Sequence, residues 1–214
     1  MNLNFTRVLG YFIFCLMLIL NSQKYLSANT IELAKNIAKI QRIDSSLSQA
    51  EKLNLEQGEV ILKGRKGDYL GLVIAEGNID SAWEVLTDYN NFDKFLPNVA
   101  SSTIVSESEN NIIFEQTNIV DLWLFQQEFK VKTKVTKSHP NRIDFQIVEG
   151  DLKKLIGSWQ IQVKSSDKIL ITHQVEVEPA GDIEKPFFYG VYESSLEETL
   201  KAIALEINKR SQLK

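Results

Sequence analysis

The sequence predicts an α+β domain in which an antiparallel sheet wraps around a long C-terminal helix. Three observations carry the prediction: a hairpin-like pair of β-runs after Gly58, six further β-like runs in succession after Pro97, and one amphipathic stripe that closes the chain. Strands joined by short turn-formers pair with their neighbours as a meander. A sheet with one solvated face needs an apolar element laid on its other face, and the closing helix is the only long candidate.

Residues 1–28 differ from the rest of the 214. Arg7 is the only charge ahead of an unbroken apolar run from Val8 to Leu20, and polar Asn21, Ser22, Gln23 and Lys24 follow it. Spanning a bilayer takes about 20 apolar residues, whereas the apolar part of a secretory signal takes about 7–15. The run therefore fits a signal peptide with Leu26-Ser27-Ala28 as the cleavage site, or else an uncleaved anchor. Either reading exports the domain, to a periplasm, a thylakoid lumen or the exterior. A buried core helix would carry polar residues along one face, and none stands between Val8 and Leu20. The only cysteine, Cys15, lies inside this segment, so the mature chain is expected to hold no disulfide.

With 43% hydrophobic and 24% charged residues, the composition is that of an ordinary globular domain. Loss of Arg7 and Lys24 with the leader leaves 22 basic residues against 28 acidic ones, a net charge of −6. No stretch clusters Lys and Arg with aromatics as a phosphate-tracking groove requires, so no nucleic-acid partner is expected. Lys63, Arg65 and Lys66 read as a solvated hairpin tip.

Residues 29–57 form a polar, weakly helical adaptor, with Leu33, Ile37 and Ile40 at helical spacing and a Ser48–Glu51 capping pair. The domain proper is expected at 58–210. It opens with runs at 59–63 and 69–76 around a 64–68 turn. One amphipathic helix should follow, with Ile79, Ala82, Leu86 and Tyr89 on its stripe, capped by Asn78 or by Ser81 with Glu84, and ending before Pro97. The six later runs fall at 101–107, 112–119, 125–136, 142–148, 158–163 and 168–177. In the run at 125–136, Phe125, Phe129, Val131, Thr133 and Val135 alternate with Gln126, Glu128, Lys130, Lys132 and Lys134, the mark of a half-buried antiparallel strand. The closing helix sets Tyr192, Leu196, Leu200, Ile203 and Ile207 opposite Glu193, Glu197, Lys201 and Lys209. Ser194 with Glu197 could cap it, or it could start near Pro186, where Gly190 weakens the first turns.

Three segments resemble the START-like (SRPBCC, Bet v 1-like) superfamily, in its coenzyme-Q-binding and polyketide cyclase/dehydrase branch. They are Ala82-Trp83-Glu84-Val85-Leu86-Thr87-Asp88-Tyr89 running to Phe95-Leu96-Pro97, then Arg142-Ile143-Asp144-Phe145 through Glu149-Gly150-Asp151-Leu152 to Gly157-Ser158-Trp159, and the closing helix. The order of these parts over about residues 58–210 is similar to that of exported cyanobacterial members. The resemblance implies a helix-grip fold, a curved antiparallel sheet around the terminal helix, with a cavity between them for a lipid, quinone or polyketide-like molecule. Related proteins include carriers, chaperone-like quinone binders and enzymes, so fold alone does not give function. Asn98 and Val99 follow Pro97 where the quinone-binding pattern has Trp and Cys. That departure weakens the case for coenzyme Q itself.

The aromatic residues are the richest functional signal. Phe92, Phe95, Trp123, Phe125, Phe145, Trp159, Phe188 and Tyr192, with His173 and Leu196, are the residues expected to line the cavity, against a competing reading of each large ring as plain core, as for nearby Phe187. Burying about ten methylenes at about 0.8 kcal/mol each gives about 8 kcal/mol, which is micromolar binding before ordering costs. The apolar run around Leu122, Trp123 and Leu124 is either a buried strand end or an exposed patch suited to a membrane surface. His173 shares the phase of Ile169, Ile171, Val175 and Val177 and should face inward, as a hydrogen-bonded core residue or as the catalytic base of a cyclase or dehydratase. Asp88, Glu149 and Asp151 match family positions, but turns and helix ends explain them equally well. Two histidines, His139 and His173, and no mature cysteine are too few for a His/Cys metal site. No catalytic elbow, phosphate loop or dinucleotide fingerprint is present, and no cofactor is expected. The leading expectation is non-catalytic binding or transport of an apolar small molecule; the alternatives are an enzyme working through His173 and a protein-interaction domain of membrane complexes docking through Leu122–Leu124.

Overall fold

Alternation builds the sheet. In the strand Gln126–Ser138, Val131, Thr133 and Val135 are buried while Lys130 is exposed, because period-2 geometry sends neighbours to opposite faces. The computed structural model describes residues 47–121, 126–181 and 184–213. The leader at 1–28, the adaptor up to residue 46 and the Leu122–Leu124 patch lie outside the described residues. The chain divides into the units Met1–Ala50 and Glu51–Lys214, and the sheet lies wholly in the second.

Eight strands form one antiparallel sheet: β1 (Ile61–Arg65), β2 (Asp68–Glu76), β3 (Val99–Glu107), β4 (Asn111–Asp121), β5 (Gln126–Ser138), β6 (Arg142–Gly150), β7 (Leu152–Val163) and β8 (Lys168–Pro179). Their order is β1-β2-β8-β7-β6-β5-β4-β3, so β3 to β8 run as a meander and β8 returns to pair with β2. The helices are α1 (Gln49–Glu56), α2 (Ile79–Leu86), α3 (Phe92–Phe95) and α4 (Lys185–Gln212), with a 3-10 turn at Tyr89–Asn91. From Glu51 onward, α1 belongs to the same unit as the sheet; Glu51 pairs with Lys63 at 3.0 Å and Glu56 with Lys168 at 3.8 Å.

Several expected elements are redrawn. The single helix before Pro97 is broken after Leu86, where Thr87 turns its hydroxyl back to the Trp83 carbonyl at 2.7 Å and Asn91 donates to Asp88 at 2.8 Å. Such local side-chain bonds compete with helix continuation. Of the two proposed caps, Asn78 is the one used: it accepts from the Ser81 amide at 2.9 Å, and the Ser81 hydroxyl accepts from the Asn78 amide at 3.2 Å. The long helix starts at Lys185 with Pro186 in its first turn, so Ser194 and Glu197 lie inside it rather than at its cap. Burial of Phe188 and the stacking of Tyr192 on Phe188 offset the weak propensity of Gly190. The first hairpin closes over two residues, Lys66 and Gly67, both at positive φ, because Arg65 already pairs with Asp68. Strand β7 begins at Leu152 rather than at Ser158.

The edge strand β3 carries two register shifts, at Val99/Ser101 and at Ile104/Ser106. Between them the Ile104 amide donates to the Asn90 side chain at 2.8 Å. The main core lies between the concave face of the sheet and α4, around Val73, Ile169, Ile171, Leu200 and Ile207, each fully buried.

Candidate ligand cavity

Helix α4 leans on one side of the sheet and stands off from the other. Gly71 in β2 makes the close side possible, since a Cβ there would come within 2.4 Å of Leu200 Cδ1. Across from β4 to β7 no comparable contact is made, and a cavity of about 410 Å³ remains, within the roughly 300–1,000 Å³ range of small-molecule sites.

Different elements supply its walls. Val85 and Leu86 of α2, Val135 of β5, Ile143 of β6 and Ile203 of α4 close it with aliphatic groups. Phe145, Trp159 and His173 stand side by side on β6, β7 and β8, because Trp159 pairs with His173 and Phe145 pairs with Gly157. A Cβ on Gly157 would come 2.6 Å from Phe145 Cζ, so the missing side chain leaves room for that ring to lie across the strand. Gln116, Asn118 and Gln127 bring amides to the wall, and Gln116 Nε2 donates to Asn118 Oδ1 at 2.6 Å. Ser195 and Thr199 add hydroxyls from α4, and half-exposed Phe187 belongs both to the wall and to the surface. No Lys, Arg, Asp or Glu is among the described residues of the wall.

His173 is 4% exposed. Its ring stacks on Trp159 at 3.7 Å between centroids and on Phe145 at 5.5 Å. Burial in these apolar surroundings pushes its pKa down to about 3, so the imidazole is neutral at any physiological pH. Nδ1 is enclosed without a hydrogen-bond partner, and Nε2 is likewise unpaired among the described residues, on a ring that forms part of the cavity wall. The hydrogen-bonded core histidine expected as one reading is therefore not what the structure holds. Tyr89 also has an enclosed, unpaired hydroxyl, and burial drives its phenol well above the ordinary tyrosine range. Burial does the same to Tyr192, which stacks on Tyr69 at 5.8 Å. Tyr69, raised to about 12 by burial and then by its bond to Glu193, donates to that carboxylate at 2.8 Å.

Of the residues expected at the cavity, Phe92, Phe145, Trp159, His173, Phe188, Tyr192 and Leu196 stand on its wall. Phe95 does not; its ring carries the Arg210 guanidinium at 5.3 Å. Trp123 and Phe125 lie outside the described residues. The three family-matched acids are off the wall: Asp88 binds Arg210 at 2.8 Å, Glu149 binds Lys132 at 2.7 Å, and Asp151 accepts from the Lys130 amide at 2.7 Å. His139 is exposed against Trp83. No group of three metal-ligating side chains occurs among the described residues. The amide strip was missed by sequence reasoning, although Gln116 and Asn118 share the phase of buried Ile112 and Phe114 and could have been found that way.

A curved sheet holding one long helix over an internal apolar cavity defines a START-like, helix-grip protein. The chain belongs to the family described as polyketide cyclase/dehydrase and lipid transport, whose profile matches residues 77–203. Among solved structures it is similar to the STAR-related lipid transfer protein of Xanthomonas axonopodis, with 17% identity, TM-score 0.56, and 69% of this chain and 92% of that one covered. It is similar also to the Zhui aromatase/cyclase of Streptomyces sp. R1128, at 14% identity and TM-score 0.55, covering 67% of this chain and 92% of that one. Human STARD10 matches at 12% identity and TM-score 0.56, over 82% of this chain and 80% of that one. These likenesses show the fold. No curated protein matches the sequence.

Proposed function

We propose that the protein binds and carries an uncharged apolar small molecule in this cavity without transforming it. The observation that carries the reading is the wall: about 410 Å³ of space faced by aliphatic and aromatic side chains and a few amides and hydroxyls, with no charged group among the described residues. An apolar guest gains from leaving water, at about 25 cal/mol per Å² of its surface. A charged guest would be buried unpaired at a cost of several kcal/mol. General acid–base chemistry, by contrast, needs a group whose pKa lies near the working pH and a partner to orient it. His173 has neither, since burial holds it near 3 and no described side chain bonds its ring nitrogens.

The test is uptake of N-phenyl-1-naphthylamine, an uncharged fluorophore, by delipidated protein. We expect saturable binding of one molecule per chain at micromolar concentration, abolished by filling the space with Leu196→Trp. Absence of saturable uptake refutes the carrier reading. A cyclase or dehydratase reading has the family and the cavity position of His173 in its favour. It requires turnover of a polyketide-type substrate that His173→Ala removes while binding persists.

A further inference from the structure

Resting on the carrier reading, we propose that the natural ligand bears a hydroxyl oxygen that hydrogen-bonds Nε2 of His173. The geometry begins with an anomaly. Buried polar side chains are nearly always hydrogen-bonded, yet His173 is 4% exposed, forms part of the cavity wall, and has no partner on either ring nitrogen among the described residues. Trp159 and Phe145 stack along its ring, so the plane of the imidazole is fixed. Stacking occupies its face and leaves the Nε2 edge for a guest. A phenylalanine would fill the same space without the cost of burying two nitrogens, so the imidazole needs a partner that no described residue supplies and a bound molecule can.

The chemistry of that partner follows from the charge state and the wall. A neutral imidazole presents Nε2 either as an N–H donor or as a lone pair, according to tautomer. A hydroxyl can answer both, because it donates and accepts. A carboxylate answers only the first, and it would also meet a wall with no Lys or Arg among the described residues to balance it. Free fatty acids entering carboxylate first are thus disfavoured, and hydroxylated ring systems or alcohols fit.

The experiment uses the full chain, delipidated, with three probes of one shape: 2-naphthol, 2-methylnaphthalene and 2-naphthoate, followed by calorimetric titration at pH 7. The quantity read is the ratio of the methylnaphthalene Kd to the naphthol Kd, which cancels general effects on the cavity. His173→Phe should lower this ratio roughly tenfold, the size of one good hydrogen bond, while methylnaphthalene still binds and so reports an intact cavity. His139→Phe, which removes the exposed histidine away from the cavity wall, should leave the ratio within twofold. In the wild type the ratio should stay constant from pH 5 to pH 8, as an imidazole that remains neutral requires, and naphthoate should bind most weakly. An unchanged ratio in His173→Phe, an equal fall in His139→Phe, or tightest binding by naphthoate would each overturn the inference. If methylnaphthalene and naphthol both fail to bind the wild type, the carrier reading itself falls, and that outcome is distinct from a cavity that binds both without regard to His173.

Discussion

Leu196 and Leu200 are the same residue type, one turn apart on the same face of α4, and they face two different interiors. Leu200 is fully buried against β2, where Gly71 lets the helix settle onto the sheet. Leu196 borders the cavity. One half of the domain is therefore filled to the density of an ordinary core, and the other is held open by the same helix. The difference teaches that the hollow comes from helix placement, which a glycine on one side permits, more than from any shortage of large side chains on the other.

The comparison can be broken by truncation. Leu200→Ala should cost about 4 kcal/mol and Leu196→Ala about 2, because the penalty grows with the void that cannot collapse and Leu196 already borders one. Urea unfolding measures both, and equal losses would show that the two halves are equally well packed. A second test uses pH. Because burial lowers His173 from 6.5 to about 3, the unfolded chain takes up a proton that the folded chain refuses. Its contribution is whole above about pH 6.5 and is lost as pH falls towards about 3, at up to about 1.4 kcal/mol per pH unit. The stability of the wild type relative to His173→Phe should accordingly fall between pH 7.5 and pH 4.5; a constant difference would mean that the imidazole is solvated. Next in size is Gly157→Ala, expected to cost about 2 kcal/mol by overpacking. Its Cβ would sit 2.1 Å from the Gln174 carbonyl oxygen and against Phe145, so near-ultraviolet circular dichroism should also change as that ring moves. The smallest effect sharpens the boundary between the halves: Tyr69→Phe removes the bond to Glu193 and should cost about 1 kcal/mol by the same unfolding assay.

Much of this contrast was invisible in the sequence, and the reasons are local. Clean alternation made β5 legible. In β7 the register shifts between Leu152 and Lys154, and beyond it an exposed isoleucine, Ile156, and the side-chain-free Gly157 blur the alternation, so only the later half reads as a strand. The stripe Ile79-Ala82-Leu86-Tyr89 is real, with Ala82, Leu86 and Tyr89 all buried, but side-chain bonds at Thr87 and Asp88 break the helix expected up to Pro97 into three pieces. Aromatic content pointed to Phe145, Trp159 and Tyr192, which border the cavity, and to Phe95, which does not, because a sequence does not show that Arg210 reaches its ring from the far end of α4. Empty space has no residue of its own, so the standoff of α4 could be expected only from family likeness.

The outermost strand, β3, has a consequence of a different kind. A straight, bare strand at a sheet margin is a template on which further chains can grow. Here two kinks and the Asn90 side chain interrupt that margin, occupying one amide and tilting its neighbours out of line. Emptying the cavity should therefore leave the domain monodisperse rather than seed fibrils, whereas smoothing the margin by deleting a bulge residue would give it a sticky end.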